Sequence, residues 1–144
     1  MSYLVDTNVL SELRRPRPHS GVQAWFAQRP AVTLYLSVLT LGEIRKGVDA
    51  VADSRRRQAM SDWLEADLPA FFSGRVLGVD SQVADTWGRM LAAAGRPLPA
   101  IDSLLAATAV SHKLVLVTRN VKDFVGLPVQ VFDPWAKGPL PSRP

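Results

Sequence analysis

Short apolar runs alternate along the chain with longer stretches in which apolar residues recur at helical spacing. The short runs cover residues 3–5, 33–37, 75–79, 114–118 and 129–132, and they predict five β-strands, the last at the edge of the sheet. Helical patterns separate the first four runs from one another. Strands that alternate with helices in this way are typical of an α/β fold with a mainly parallel sheet.

Polar cap residues, glycines and prolines mark the ends of the predicted helices. The first helix follows Asp6 directly, and the others are predicted at residues 20–29, 39–51, 53–72, 81–91 and 100–113. Pro69 is expected to end or kink the helix over residues 53–72 near its last turn. Residues 1–135 are expected to form a single domain, and the proline-rich residues 136–144 a flexible tail.

Asp6 stands where the first apolar run ends and a helical pattern begins. Ligands of open parallel sheets bind outside the carboxyl ends of the strands, so an acid at this point is well placed to hold a metal or act on a substrate. Aspartate is also a favoured N-cap, which gives Asp6 a purely structural interpretation. This stretch alone leaves both interpretations open.

Three further acids stand in comparable surroundings. Glu43 is the only acid in the otherwise apolar or small stretch 31–44, Asp102 lies in the first turn of a strongly apolar helix, and Asp123 follows the fourth predicted strand. Two of them have a structural alternative, because Glu43 could be exposed or salt-bridged and Asp102 could simply complement the helix dipole. Independent caps do not require all four acids to lie at strand ends or helix starts, so we group them as one candidate site.

The composition indicates which cation would balance such a group of acids. Lysine and arginine are absent from residues 1–13 and 100–110, and buried carboxylates are costly without a compensating cation. The chain has no cysteine and only two distant histidines, His19 and His112, so any metal must be held by oxygen. Oxygen ligands suit Mg²⁺ or Mn²⁺, and such an ion supports phosphodiester hydrolysis.

Net charge and hydropathy add weaker information. A formal net charge of +4, with arginines clustered at residues 14–17 and 55–57, suits a polyanionic partner but equally a solvated surface. No apolar run approaches the length of a membrane span, and the first residues do not resemble a signal peptide. We therefore expect a cytoplasmic protein without a membrane partner.

Four motifs in order resemble those of the PIN-domain ribonucleases. They are Asp6-Thr7-Asn8 with Ser11 and Glu12, Glu43 within residues 39–45, Asp102 within residues 101–109, and residues 118–124 with Thr118, Asn120 and Asp123. More narrowly, the chain resembles the VapC-type toxins of bacterial toxin–antitoxin pairs, in the FitB-like branch. The sequences of that branch often end with a motif similar to residues 131–135. Asp133 stands where asparagine is more usual in that motif, but it lies outside the acidic set.

The resemblance implies a three-layer α/β/α sandwich whose pocket holds Mg²⁺ or Mn²⁺ and whose activity is cleavage of RNA. Asp6 and Asp102 would be the principal metal ligands, and Glu43 and Asp123 would complete the catalytic acids. Residues that would position these acids or the substrate phosphate are Thr7, Asn8, Thr118 and Asn120. The implied partners are a cognate antitoxin, which alone contacts DNA, and a second copy of the chain.

Two other functions and one surface feature bear on these expectations. A phosphatase with Asp6 as nucleophile would need a second aspartate at position 8, where Asn8 stands, and a nucleic-acid-binding module without catalysis would have no reason to keep four acids. The helical stripes also carry more large apolar side chains than one sheet face readily covers, which predicts a homodimer. These side chains belong to Trp63, Leu68, Phe71, Phe72 and Trp87.

Overall fold

Five parallel strands form the central sheet of the computed structural model, which describes residues 1–136. The strands are β1 (Tyr3–Val5), β2 (Leu34–Ser37), β3 (Val76–Leu77), β4 (Val115–Val117) and β5 (Val131–Phe132). Their spatial order is β3-β2-β1-β4-β5, and each neighbouring pair is parallel. The predicted five-stranded parallel sheet is therefore confirmed, and each strand is shorter than the apolar run that predicted it except for β1.

Helices connect the strands on both sides of the sheet. They are α1 (Thr7–Leu13), α2 (Ser20–Ala27), α3 (Val38–Asp49), α4 (Ser54–Asp62), α5 (Leu68–Phe71), α6 (Ser81–Ala94) and α7 (Ala100–Ser111). Two short 3₁₀ segments, Ala31–Thr33 and Val121–Phe124, complete the regular structure. No helix within residues 1–136 is long and apolar enough to cross a membrane.

Two separate hydrophobic cores cover the two faces of the sheet. Tyr3 and Val5 of β1 belong to the core that includes Phe72 and the helices before β3, whereas Leu4 belongs to the core that includes Leu105 of α7. Successive side chains of a strand point to opposite faces, so β1 supplies both cores at once. This arrangement is the three-layer α/β/α sandwich that the resemblance implied.

The helix predicted over residues 53–72 is interrupted rather than continuous. Residues Trp63–Asp67 form a π-helical turn between α4 and α5, in which the Leu68 amide donates to the Trp63 carbonyl oxygen. Pro69 has no N–H to donate to the carbonyl four residues earlier, so the regular α-helical ladder cannot pass through it. The expected effect of Pro69 thus occurs one turn earlier than its own position.

The sheet order places a ligand site at a defined point. The chain winds from β1 outward through β2 and β3, and then returns to the other side of β1 as β4. In open α/β sheets such a reversal leaves a crevice at the carboxyl ends of the two central strands. Asp6 follows β1 and Thr118 follows β4, and they flank this crevice. Of the predicted tail, all but Ala136 lies outside the described residues.

Candidate active site

Asp6 is both a helix cap and a buried acid. It is the N-cap of α1, and its backbone N–H donates to the Val117 carbonyl oxygen of β4 at 3.0 Å. Its carboxylate Oδ1 accepts from the backbone N–H of Thr7 at 2.7 Å, and the residue is only 7% exposed. The structure therefore shows the cap and places the carboxylate at the crevice, where the alternative of a metal or substrate site stays a prediction.

Thr118 links Asp6 to the loop that follows β4. Its buried hydroxyl donates to Asp6 Oδ2 at 2.8 Å and accepts from Asn8 Nδ2 at 3.1 Å and from the Asn120 backbone N–H at 3.2 Å. Asn8 in turn accepts from the Arg119 backbone N–H at 3.3 Å through Oδ1. Both oxygens of Asp6 are thus fixed by donors, and Asn8 contacts Asp6 indirectly, through the Thr118 hydroxyl.

Three of the four predicted acids line one pocket, which we call the acidic pocket. It has a volume of about 470 Å³, and its lining includes the side chains of Asp6, Glu43 and Asp102 together with Thr7, Asn8 and Asn120. Glu43, in the second turn of α3, is exposed, and its Oε1 accepts from the Thr7 hydroxyl at 2.8 Å. The exposed position matches the structural alternative considered for Glu43, and its functional role stays a prediction that the contact with Thr7 supports.

Asp102 and Asp123 form the other side of the acidic set. Asp102 lies in the first turn of α7, which is held by Ser103, because the Ser103 hydroxyl accepts from the Trp87 indole at 2.9 Å and donates to the Ala100 carbonyl at 3.0 Å. Asp123 is exposed in the 3₁₀ segment after β4 and does not line the acidic pocket. Its charge nevertheless raises the pKa of Asp102, so the two carboxylates are near each other.

The acidic set carries uncompensated negative charge. Burial raises the pKa of Asp6, the hydrogen bonds from Thr118 and Thr7 oppose that rise, and the charges of Glu43 and Asp102 add to it. Burial is also the largest cause of the raised pKa of Asp102, followed by the charges of Asp123 and Glu43. Within residues 1–136, no lysine or arginine forms a salt bridge with any of these four acids.

These observations decide whether a hard divalent cation fits the residues present. The donors are all oxygens, and the carboxylates whose charges raise one another's pKa form no salt bridge with lysine or arginine within residues 1–136, which suits Mg²⁺ or Mn²⁺. Over the described part of the chain, no three acids or histidines form a preformed cage. Mg²⁺ usually binds through one or two carboxylates and keeps several waters, so a cage is not needed. The residues therefore fit the ion.

Glu12 also lines the acidic pocket, although no separate role was predicted for it. It is 6% exposed, and it accepts from the His19 backbone N–H at 3.0 Å and from Arg15 Nη1 at 3.3 Å. The His19 amide is the main cause of the lowered pKa of Glu12, ahead of Arg15. Asn8 and Glu12 are four residues apart on α1, and this spacing is the signal that places them on one helix face.

The chain is similar to proteins of a known family. A family model described as the PIN domain matches residues 3–125. The chain is 36% identical over 135 residues to the toxin FitB of Neisseria gonorrhoeae, which covers 92% of this chain and 97% of FitB. It is 33% identical over 135 residues to the VapC ribonuclease Y4jK of Sinorhizobium fredii, which covers 92% of this chain and 96% of that relative.

A solved structure has the same fold. A chain in the structure of FitAB bound to an IR36 DNA fragment superposes with a TM-score of 0.86 at 32% identity. The match covers 94% of this chain and 97% of that chain. The similarity therefore extends over both layers of helices and the whole sheet, including the crevice where the acids lie.

Proposed function

The chain belongs to the PIN-domain family, in its VapC-type toxin branch, and we propose that it is a divalent-metal-dependent endoribonuclease that acts as the toxin of a toxin–antitoxin pair. It hydrolyses phosphodiester bonds of RNA. One observation carries this proposal: Asp6, Glu43 and Asp102 line a single pocket at the reversal point of the sheet, and no lysine or arginine in residues 1–136 forms a salt bridge with any of them. The ribonuclease name of its relative Y4jK points to the same chemistry.

The protein residues divide the work of this reaction. Asp6 and Asp102 would hold Mg²⁺ or Mn²⁺, which when bound would lower the pKa of water and stabilise charge on phosphoryl oxygens. The hydroxyl of Thr118 and the amide of Thr7 fix the Asp6 carboxylate, so that it does not have to reorganise. Glu43, restrained by the Thr7 hydroxyl, orients the attacking water or accepts its proton.

Asp123, Asn8 and Asn120 complete the assignment. Asp123 adds negative charge beside Asp102 and thereby increases the attraction of this side of the site for a cation. Asn8 and Asn120 line the pocket and have amide groups that can position a substrate phosphate. Because Asn8 already donates to Thr118, its role also includes holding that hydroxyl in place.

Replacing Asp6 with Asn tests the proposal directly. The Asp6→Asn variant keeps the side-chain shape and a good N-cap, but removes one negative charge and an anionic ligand. Mg²⁺-dependent cleavage of RNA should fall about 100-fold or more if Asp6 holds the ion. Asp80→Asn is the matched control, because Asp80 is likewise an N-cap and accepts from the Val83 amide, but lies outside the acidic pocket. It should cleave RNA at the wild-type rate.

A second measurement on Asp6→Asn separates catalysis from folding. In a chelator, the variant should lose at most about 1–3 kcal/mol of stability. Removing a charge from mutually repelling acids stabilises the protein, whereas the single amide oxygen accepts from only one of the two donors to Asp6, the Thr7 N–H and the Thr118 hydroxyl. Retained cleavage would rule out the catalytic assignment of Asp6. A large loss of stability in chelator would mean that Asp6 serves the fold rather than the metal.

We also propose that the toxin is neutralised by a cognate antitoxin. An uncompensated carboxylate pocket attracts arginine or lysine through charge-assisted hydrogen bonds, so an antitoxin segment can occupy it in competition with the metal. Contact with DNA is made by the antitoxin, in keeping with the DNA complex of the similar FitAB. Co-expression of the antitoxin should restore the growth that wild-type toxin arrests. Continued growth arrest would contradict the proposal that the antitoxin neutralises this protein.

Two further properties follow from the same assignment. An RNA-cleaving toxin with an antitoxin partner acts in the cytoplasm, where its substrate is made. The protein also pairs with a second copy of itself, through apolar side chains that the described chain leaves partly exposed around Phe71. The test of this self-association is a substitution at that surface.

A further inference from the structure

A groove lined by arginines continues from the acidic pocket between α1, α3 and α4. It has a volume of about 710 Å³, and we call it the arginine groove; its lining includes Arg14, Arg15, Arg56, Ile44, Met60 and Trp63. Thr7, Ser11, Arg15 and Glu43 line both the groove and the acidic pocket. A linear ligand can therefore occupy both without leaving the surface.

We propose that the arginine groove binds single-stranded RNA on one side of the bond that is cut, with phosphates at the guanidinium groups and bases against the apolar floor. This inference rests on the proposed ribonuclease function, which does not itself assign any of these arginines or the floor. The acidic pocket repels phosphate groups except where a metal balances them. Positive charge beside the pocket therefore favours substrate binding, and the arginine groove supplies such charge next to it.

The charge state of the arginines favours an anionic occupant. Arg14 and Arg56 are exposed, and neither forms a salt bridge with any acid in residues 1–136. Arg15 pairs with Glu12 at 3.3 Å, which holds its guanidinium at the junction of groove and pocket. Guanidinium groups bind phosphate oxygens with two parallel hydrogen bonds, so free arginines beside a catalytic pocket suit a nucleic acid backbone.

The three consecutive arginines of α4 have different surroundings. Arg57 Nη1 donates to the Val51 carbonyl oxygen at 2.9 Å, so it closes the end of α3. Arg56 lines the arginine groove, whereas Arg55 is exposed and does not line it. A general basic surface would use all three alike, but here only the middle arginine faces the groove.

The floor of the groove favours unpaired bases over a duplex. Trp63 and Met60 are partly buried and present apolar surface, and the Arg14 guanidinium lies over the Trp63 ring with Cζ 4.9 Å from its centroid. Bases of single strands stack on aromatic rings and on guanidinium planes, whereas bases within a duplex are not accessible to such a floor. A peptide would also use the apolar floor, but it would supply no phosphates to pair with the guanidinium groups of Arg14 and Arg56.

Salt-dependent binding of a labelled RNA tests the proposal without any need for cleavage. The probe is a fluorescein-labelled single-stranded RNA of about ten nucleotides, a length comparable with known single-strand sites. Its affinity is measured in chelator at several salt concentrations. The slope of log affinity against log salt should become less steep by about 0.7 in Arg56→Ala, and likewise in Arg14→Ala, because each loses one phosphate contact. Arg56→Lys should keep most of the slope.

Arg55→Ala is the matched control, because it removes the same charge from the neighbouring position of the same helix. Its salt slope should equal that of the wild type. Equal slopes for Arg56→Ala and Arg55→Ala would overturn the proposal, as would an Arg56→Ala variant that loses affinity only for a co-expressed antitoxin, since the groove would then be a protein-docking surface. If the wild-type protein bound the probe but never cleaved RNA with Mg²⁺, the ribonuclease function would be contradicted. The proposal that the arginine groove binds RNA would not be.

Discussion

At the scale of single residues, one hydroxyl group organises the centre of the site. Thr118 donates its only hydrogen to Asp6, and its oxygen accepts from Asn8 and from the Asn120 amide. Since both acceptor positions are filled, the hydroxyl hydrogen has one direction left, toward Asp6 Oδ2. The orientation of the Asp6 carboxylate is therefore set by a buried residue that does not line the pocket.

Removing this hydroxyl should weaken metal binding more than it weakens the reaction itself. In Thr118→Val the Asp6 carboxylate loses a donor, and outer-shell partners of metal ligands typically contribute about 10–100-fold in metal affinity. The Mg²⁺ concentration for half-maximal RNA cleavage should rise by about that factor, while the rate at saturating Mg²⁺ stays close to wild type. The protein should also lose about 1–3 kcal/mol of stability, because two donors are left unpaired.

Thr118→Ser is the control for this prediction, because serine keeps the hydroxyl and removes only a methyl group. Its half-maximal Mg²⁺ concentration should lie within a few-fold of the wild type. If Thr118→Val and Thr118→Ser required the same Mg²⁺ concentration, the hydroxyl would have no part in holding the metal ligand.

Three of the four acids that the sequence grouped lie together, but their surroundings were not predicted. Asp6, Glu43 and Asp102 lie in one pocket because each stands at a strand end or a helix start, and the sheet brings those points together. Glu43 is exposed, since one acid in an apolar stretch can point outward from a helix whose other side is buried. The role of Glu12 depends on a bond from the His19 amide, and no local pattern predicts such a contact between a helix and the loop after it.

At the scale of secondary structure elements, the sequence predicted whether a segment is a helix or a strand more reliably than where that helix or strand ends. Apolar periodicity located all five strands and the main helices, because it reflects which side chains face the sheet. Strand ends depend on how far a neighbour continues to supply hydrogen bonds, and β3 and β5 are each only two residues long at the sheet edges. The π-helical turn before Pro69 lets the helix continue although proline has no N–H to donate. Apolar periodicity does not predict such a change in hydrogen bonding.

The start of α2 is packed against the last described segment of the chain. A Cβ atom at Gly21 would lie 3.0 Å from His19 Cε1 and 3.1 Å from the Pro134 carbonyl oxygen. The His19 ring is the N-cap of α2, and the Pro134 oxygen belongs to the backbone, so neither can move without loss of contacts. Gly21→Ala should therefore lower the free energy of unfolding by about 1–3 kcal/mol, as overpacking does. Urea unfolding monitored by circular dichroism measures this loss.

Gly88→Ala provides the opposite expectation within the same fold. Gly88 lies inside α6, and a Cβ there meets nothing within 4 Å, so alanine should stabilise the helix by about 0.5–1 kcal/mol. The two variants make the same chemical change in helices on opposite sides of the sheet. If Gly21→Ala were as stable as Gly88→Ala, the segment containing Pro134 would move away from the new methyl group at no cost. That segment would then not restrain α2.

At the scale of the whole molecule, the sequence predicted the layers but not the order of the strands. Pairing of β1 with β4 joins segments more than a hundred residues apart, and this pairing places Thr118 beside Asp6. The apolar stripes proposed for a dimer surface are also divided by the fold: Leu68 and Phe72 are buried in the monomer core, whereas Phe71 remains exposed. Periodicity detects an apolar face, but it cannot distinguish a face covered by the same chain from one covered by another copy.

The surface that remains for self-association is centred on Phe71, which is 39% exposed and stacks on Phe26 beside a pocket of about 350 Å³. In Phe71→Asp a charge would enter this apolar contact, so the dimer dissociation constant should rise about 100-fold or more. Val125→Asp is the control, because Val125 is 67% exposed but follows Phe124 of the other core. Sedimentation velocity at micromolar concentrations should give dimers for the wild type and for Val125→Asp, and monomers for Phe71→Asp. A monomeric wild type, or a dimeric Phe71→Asp, would show that this apolar patch does not pair two copies of the chain.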